Sequence, residues 1–162
     1  MRKSLIISML AAAALVIVSA TAQGQATDPW IGGWKTNLTK STFSPGPIPK
    51  TAATITIEST SGGGIKVITD ATNVEGQLTH TEVIGVFDGK DNPIKGALVP
   101  TATNAFKRID GRTVEIQSKV DGKPTVTTRA VVSADGKTMT LTQTGQNVQG
   151  QAIMNVIVLE RQ

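Results

Sequence analysis

The chain has 162 residues, of which 39% are hydrophobic, 17% charged and only 3% aromatic, with one His and no Cys or Tyr. At roughly 100–200 residues per domain it holds one folded unit, and without Cys it carries no disulfide framework, thiolate zinc site, iron–sulfur cluster or cysteine nucleophile. A single His also excludes a histidine-rich metal centre, and the net charge of +4 has to be judged by where its basic residues lie.

Arg2 and Lys3 directly precede an apolar run from Leu5 to Val18, interrupted only by Ser8, and Ser19-Ala20-Thr21-Ala22 follows. A basic start, an apolar stretch and a small-x-small tail predict a secretory signal peptide over residues 1–22, cleaved after Ala22 or, as second choice, Ala26. The run is shorter than the about 20 apolar residues that span a membrane. No Cys follows it to take a lipid. The expectation is an exported protein, periplasmic or extracellular, without a membrane anchor once cleaved. Loss of the leader lowers the net charge from +4 to +2, and Lys107-Arg108 is then the only adjacent basic pair. Nucleic-acid surfaces need clustered Lys and Arg, often with stacking aromatics, so nucleic acid is excluded as a partner.

Residues 23–162 form the predicted domain. They show no helical periodicity; short Thr-, Val- and Ile-rich segments alternate with Gly- and Asp-containing turns. Strands are expected near 31–39, 52–60, 65–72, 77–87, 93–98, 103–109, 112–120, 124–133, 137–144 and 151–160. Between the first two, Ser44-Pro45-Gly46-Pro47-Ile48-Pro49 reads as an extended linker, because alternate prolines remove donors and fix φ. Asp-Gly pairs beginning at Asp88, Asp110, Asp121 and Asp135 each predict a tight turn. Thr54-Ile55-Thr56-Ile57-Glu58 alternates cleanly, as do Thr113 to Gln117 and Thr138 to Thr142. Ile153 to Leu159 is apolar on both faces except at Asn155, which predicts a strand covered on both sides. The expected fold is all-β: an antiparallel up-and-down β-barrel of about 8–10 strands, closed on itself so that no edge is left unprotected.

Particular residues carry a family resemblance. Gly32-x-Trp34, within Asp28-Pro29-Trp30-Ile31-Gly32-Gly33-Trp34, resembles the first strand of lipocalins and fatty-acid-binding proteins, the calycin superfamily. Lys107-Arg108-Ile109-Asp110, Lys119 to Lys123 and Val131 to Thr140 resemble small secreted bacterial lipocalin-like proteins. The resemblance implies a Trp34 that plugs one barrel end beneath Arg161 of the last strand, a cation–π pair; alternatively Trp34 is an ordinary core aromatic. It also implies a lumenal ligand, with two departures. The Pro-rich linker stands where fatty-acid-binding proteins insert two lid helices. Ile157 and Leu159 stand where their carboxylate-binding Arg-x-Tyr would be. Arg129, near the family's other carboxylate-binding Arg, belongs to the outward face with Thr125 and Thr127.

The expected lumen candidates are Ile55, Ile57, Val67, Leu78, His80, Glu82, Ile84, Val114, Ile116, Met139 and Leu141. His80 and Glu82 share a strand face and would form a His–Glu pair inside the mouth, with His80 as a polar anchor for a ligand. No nucleophile or further metal ligand accompanies them, so neither catalysis, a metal nor another cofactor is expected. Gly62-Gly63-Gly64 is a hairpin turn, because no Gly-Lys-Ser/Thr follows it. Asn37-Leu38-Thr39 matches the glycosylation pattern only incidentally beside a bacterial-type leader. Composition and resemblance together lead to a non-enzymatic exported barrel binding a small apolar or amphipathic molecule. A barrel with a packed interior, serving a structural or surface role in the bacterial envelope, is the alternative. An enzyme is the third and weakest.

Overall fold

A computed structural model describes residues 28–73, 76–147 and 150–162; the predicted leader, residues 1–22, and both candidate cleavage points lie outside them. Ten strands follow in chain order: β1 Gly32–Thr36, β2 Thr54–Ser59, β3 Ile65–Thr72, β4 Leu78–Gly85, β5 Asp88–Pro93, β6 Thr103–Asp110, β7 Thr113–Val120, β8 Lys123–Val132, β9 Thr138–Gln146 and β10 Ala152–Arg161. They form one antiparallel sheet in the order β4-β3-β2-β1-β10-β9-β8-β7-β6-β5. Every neighbour but the β1–β10 pair is also a neighbour in sequence, so the chain runs up and down and joins its two ends. The sheet curls until β4 faces β5 and the barrel is nearly closed.

Among the described residues one bridge holds that last seam. Glu82 N–H donates to Lys95 O at 3.0 Å, and Lys95 N–H donates to Glu82 O at 2.8 Å. Below the bridge the side chain of Asn92 lies in the gap, donating to Lys90 O at 2.9 Å and Asn104 O at 3.1 Å. Gly85 makes room for it, since a Cβ there would lie 2.6 Å from Asn92 Nδ2.

The turns follow local chemistry. Asp121 and Gly122 have φ of 51° and 72°, as the two central residues of a tight β7–β8 hairpin require. Asp88-Gly89 behaves otherwise. It opens β5 and forms a bulge against β6, with the register shifting between Asp88 and Asp91. The fifth strand is therefore Asp88–Pro93, where residues 93–98 were expected. β1 stops at Thr36, short of the expected 39, because Asn37 Oδ1 accepts from the N–H groups of Thr39 and Lys40 and winds Leu38–Lys40 into a 3-10 turn. Beyond it the linker rejoins β10: Thr42 and Val156 exchange two backbone bonds, and Met154 N–H donates to Ser44 O. The described linker contains no α-helix. The outward face of β10 is not fully covered as expected, for Met154 is 64% exposed.

The register sorts the side chains. Trp34 stands opposite both Ile55 and Arg161, Val67 opposite Ile57 and Val83, and Phe106 opposite Ile116. Inward residues near the start of β1 and the end of β10 are fully buried: Trp34, Ile57, Ile65, Val83, Phe106, Val114, Ala130, Val132, Met139 and Leu159. They fill one end of the barrel with apolar volume, each large side chain contributing about 1.5–3 kcal/mol by its burial. Toward the other end, the inward residues are mostly half-buried, with Thr128 buried among them.

Candidate functional site

The closed end is fixed by arginine. The Arg161 guanidinium lies over the Trp34 ring, 4.2 Å from its centroid. Its three nitrogens donate to backbone carbonyls: Nε to Gly136 at 2.6 Å, Nη1 to Ile31 at 2.8 Å and Nη2 to Pro29 at 2.6 Å. Trp34 Nε1 donates to Trp30 O at 3.1 Å. Gly32, at φ +134°, sits where a Cβ would come within 2.6 Å of Arg161 Nη1, which gives the glycine of Gly-x-Trp its physical reason. Arg108 repeats the device beside it, 4.1 Å from the centroid of Phe87 and 2.7 Å from Asp28 Oδ2.

Above this plug lies the open half. Its floor is apolar: Ile55, Val67, Ile116, Leu141 and Ile157 face inward, half-buried, against the packed core. Its walls are neutral and polar. Asn104, on β6, accepts a bond from Ser118 Oγ of β7 at 2.8 Å and lies beside Asn92 of β5. On the neighbouring strands Asn155 Nδ2 donates to Gln143 Oε1 at 3.1 Å, and Gln143 Nε2 approaches Thr128 Oγ1 at 3.5 Å. Ser44 N–H donates to Asn155 Oδ1 at 3.1 Å, tying the linker to this chain of amides. Thr69 and Thr81, paired across β3 and β4, and Thr79 opposite Ala71 add hydroxyls to the inward face.

The opening is asymmetric. β3 runs on to Thr72, whereas its partner β2 begins at Thr54, opposite Asp70. Where β3 outruns β2, a cleft of about 580 Å³ is bounded by Thr51 and Ala52 of the linker, Thr54 of β2, Asp70 to Thr72 of β3, and Leu78 to His80 of β4. Its size falls within the roughly 300–1,000 Å³ of small-molecule sites.

The expected lumen residues divide three ways. Ile57, Val114 and Met139 belong to the closed plug. Ile55, Val67, Ile116 and Leu141 line the open half. Leu78, His80, Glu82 and Ile84 do not face the lumen, which corrects the sequence expectation. The register places Thr79, Thr81, Val83 and Gly85 inward on β4, leaving Leu78 89% exposed and Ile84 51% exposed on the outer face. The reason is that β4 carries apolar side chains on both faces, and its inward ones belong to a partly polar wall. Arg129 faces outward, exposed, opposite Glu115.

His80 therefore belongs to a surface network. Its Nδ1 lies 2.7 Å from Asp70 Oδ1 and its Nε2 3.5 Å from Glu82 Oε1, while Lys66 Nζ is 3.2 Å from the same Glu82 oxygen. Hydrogen bonding to Asp70, then to Glu82, raises the imidazole pKa, and Lys66 foremost lowers that of Glu82. The two carboxylates occupy opposite ring nitrogens, so the three groups do not converge on a common point. Among the described residues no cluster of three or more His, Asp or Glu side chains is arranged to hold a metal, and no helix is long and apolar enough to cross a membrane. Thr128 was expected inward beside Val126 and Ala130, but the wall residues Asn104, Ser118, Gln143 and Asn155 were missed by sequence reasoning. The available signal was alternation itself, since Ser118 and Gln143 fall in register with Ile116 and Leu141.

A nearly closed, ten-stranded up-and-down barrel of this kind has the calycin-type fold. Two crystal structures of the fluorescent protein UnaG are similar to it. The wild type superposes with a TM-score of 0.55 at 15% identity, covering 85% of this chain and 100% of that one. An asparagine-to-alanine mutant of UnaG superposes with a TM-score of 0.56 at 16% identity, covering 85% of this chain and 99% of that one. At such identities the likeness is one of fold. No protein-family model and no curated protein sequence matches the chain.

Proposed function

We propose that the protein is an exported, non-enzymatic barrel that binds a small apolar or amphipathic molecule in its open half. The observation that carries this reading is the division of the interior. A barrel built only for stability would pack its lumen throughout, whereas here full burial ends above Trp34, Phe106 and Met139, and the half-buried floor continues into hydrogen-bonding walls. An apolar floor with a few placed polar groups is the usual composition of a small-molecule site. Binding then comes from apolar area removed from water, at about 25 cal/mol per Å². The amides and hydroxyls above fix orientation. Export rests on the leader pattern of Arg2 to Ala22.

A second reading, a barrel that acts through its surface in the bacterial envelope, is favoured by the exposure of Leu78 (89%) and Leu98 (77%). One experiment separates the two. The protein is purified from its own host and analysed by native mass spectrometry, then delipidated and titrated with the neutral fluorophore N-phenyl-1-naphthylamine. Lumenal binding predicts a co-purifying mass or a saturable fluorescence enhancement that Ile116→Arg abolishes. An empty barrel that also leaves the fluorophore dark contradicts it.

A further inference from the structure

Resting on that reading, we infer that the lumen selects an uncharged, hydroxyl-bearing amphiphile, such as a long-chain alcohol or a monoacylglycerol, and rejects the carboxylate of the same chain length.

Along the strands, Lys66, Asp70 and Glu82 face outward on one side of the barrel, and Glu115, Lys119 and Arg129 on another. Among the described residues, the lumen-facing positions below the rim carry no charge; at the rim itself, exposed Lys123 stands opposite Val120, and Asp70 and His80 border the cleft. The inward cations, Arg108 and Arg161, lie at the closed end beyond the layer of Phe106, Val114, Met139 and Leu159. Both are already engaged, Arg108 by Asp28 and Phe87, Arg161 by three carbonyls and Trp34.

A carboxylate drawn below the rim loses hydration and meets no cation there, and an unpaired buried charge is far costlier than an unpaired hydroxyl. A hydroxyl or ester meets matched partners. Asn104 spends an Oδ1 lone pair on Ser118 and keeps its Nδ2 donors for a guest. Gln143, bridging Asn155 and Thr128, keeps a lone pair and an amide hydrogen. Donors and acceptors alternate around the wall, which suits a group that both gives and takes hydrogen bonds.

The test is competition at pH 8 between 1-dodecanol and dodecanoate for the full chain carrying N-phenyl-1-naphthylamine. The expected result is displacement by the alcohol at a concentration at least tenfold lower than by the acid. Gln143→Lys, which places a cation on the wall, should narrow or reverse that preference; the wild-type comparison decides the matter if this variant does not fold. Equal or tighter displacement by dodecanoate from the wild type overturns the inference while leaving lumenal binding intact. Failure of the fluorophore to bind at all, by fluorescence and by equilibrium dialysis, overturns both.

Discussion

Replacing Arg161 with Met keeps most of the side-chain volume and removes the guanidinium that closes the barrel. The change deletes three hydrogen bonds to the carbonyls of Gly136, Ile31 and Pro29, together with the contact over Trp34. A hydrogen bond involving a charged group contributes about 1.5–3 kcal/mol, and a cation–π contact about 0.5–2 kcal/mol. Summing three full bonds overstates the loss, because water reaches part of these half-buried carbonyls once the arginine is gone. One bond's worth plus the ring contact gives about 3 kcal/mol, or roughly 10 °C in Tm for a domain of this size. Arg161→Lys should fall between, since an ammonium keeps the charge but not the planar fork. The assay is urea unfolding followed by tryptophan fluorescence, which reports on this end because the only two Trp, Trp30 and Trp34, are both there. Arg129→Ala, an exposed outward charge, is the control and should stay within about 0.5 kcal/mol. A loss below about 1 kcal/mol for Arg161→Met, or one matching the control, refutes the assignment of Arg161 as the clamp of the closed end.

Phe106→Ala, in the plug, should cost about 3–5 kcal/mol, whereas Leu78→Ala should change stability by no more than about 0.5 kcal/mol; paired urea midpoints check the inward and outward assignments. Gly145→Ala should destabilise by about 1–3 kcal/mol, because Gly145 has φ of +144° and an added Cβ would strike Thr125 O. His80 supplies a pH-dependent term. Its folded pKa lies above the ordinary 6.5, so the Asp70 and Glu82 contacts stabilise fully below that value, and the contribution fades as pH rises through the raised one. Tm of His80→Gln should therefore fall below wild type near pH 5.5 and converge with it by about pH 8.5, with the difference shrinking in salt because the pair is exposed. A constant gap across that range would contradict the ion-pair origin.

Much of the fold is written locally. Thr54 to Glu58 alternates because β2 has one face on the core and one in water, and Asp121-Gly122 accepts the positive φ that a two-residue hairpin demands. Gly32, Trp34 and Arg161 are legible as a set because sterics and a ring contact tie their identities together. The wall of the site was hidden for a physical reason. Sequence periodicity finds the inward face by assuming that it is apolar, and in the open half it is not. On β4 the rule therefore chose Leu78 and Ile84 over Thr79 and Thr81, reversing the strand and carrying His80 and Glu82 inward with it. Only cross-strand register, Val67 against Val83 and Ile65 against Gly85, settles which set turns in. β5 was hidden differently: Asp-Gly-Lys-Asp-Asn-Pro has no strand-forming side chain and becomes a strand through pairing with β6.

Methyl-resolved NMR during titration with a neutral amphiphile such as 1-dodecanol tests the central claim most directly. Saturable shifts should concentrate on Val67, Ile116, Leu141 and Ile157, the floor of the open half, while Val132 and Leu159 in the plug and Leu78 and Ile84 on the outer face stay in place. Shifts confined to Leu78 and Ile84, or none anywhere at saturating ligand, would contradict a lumenal site.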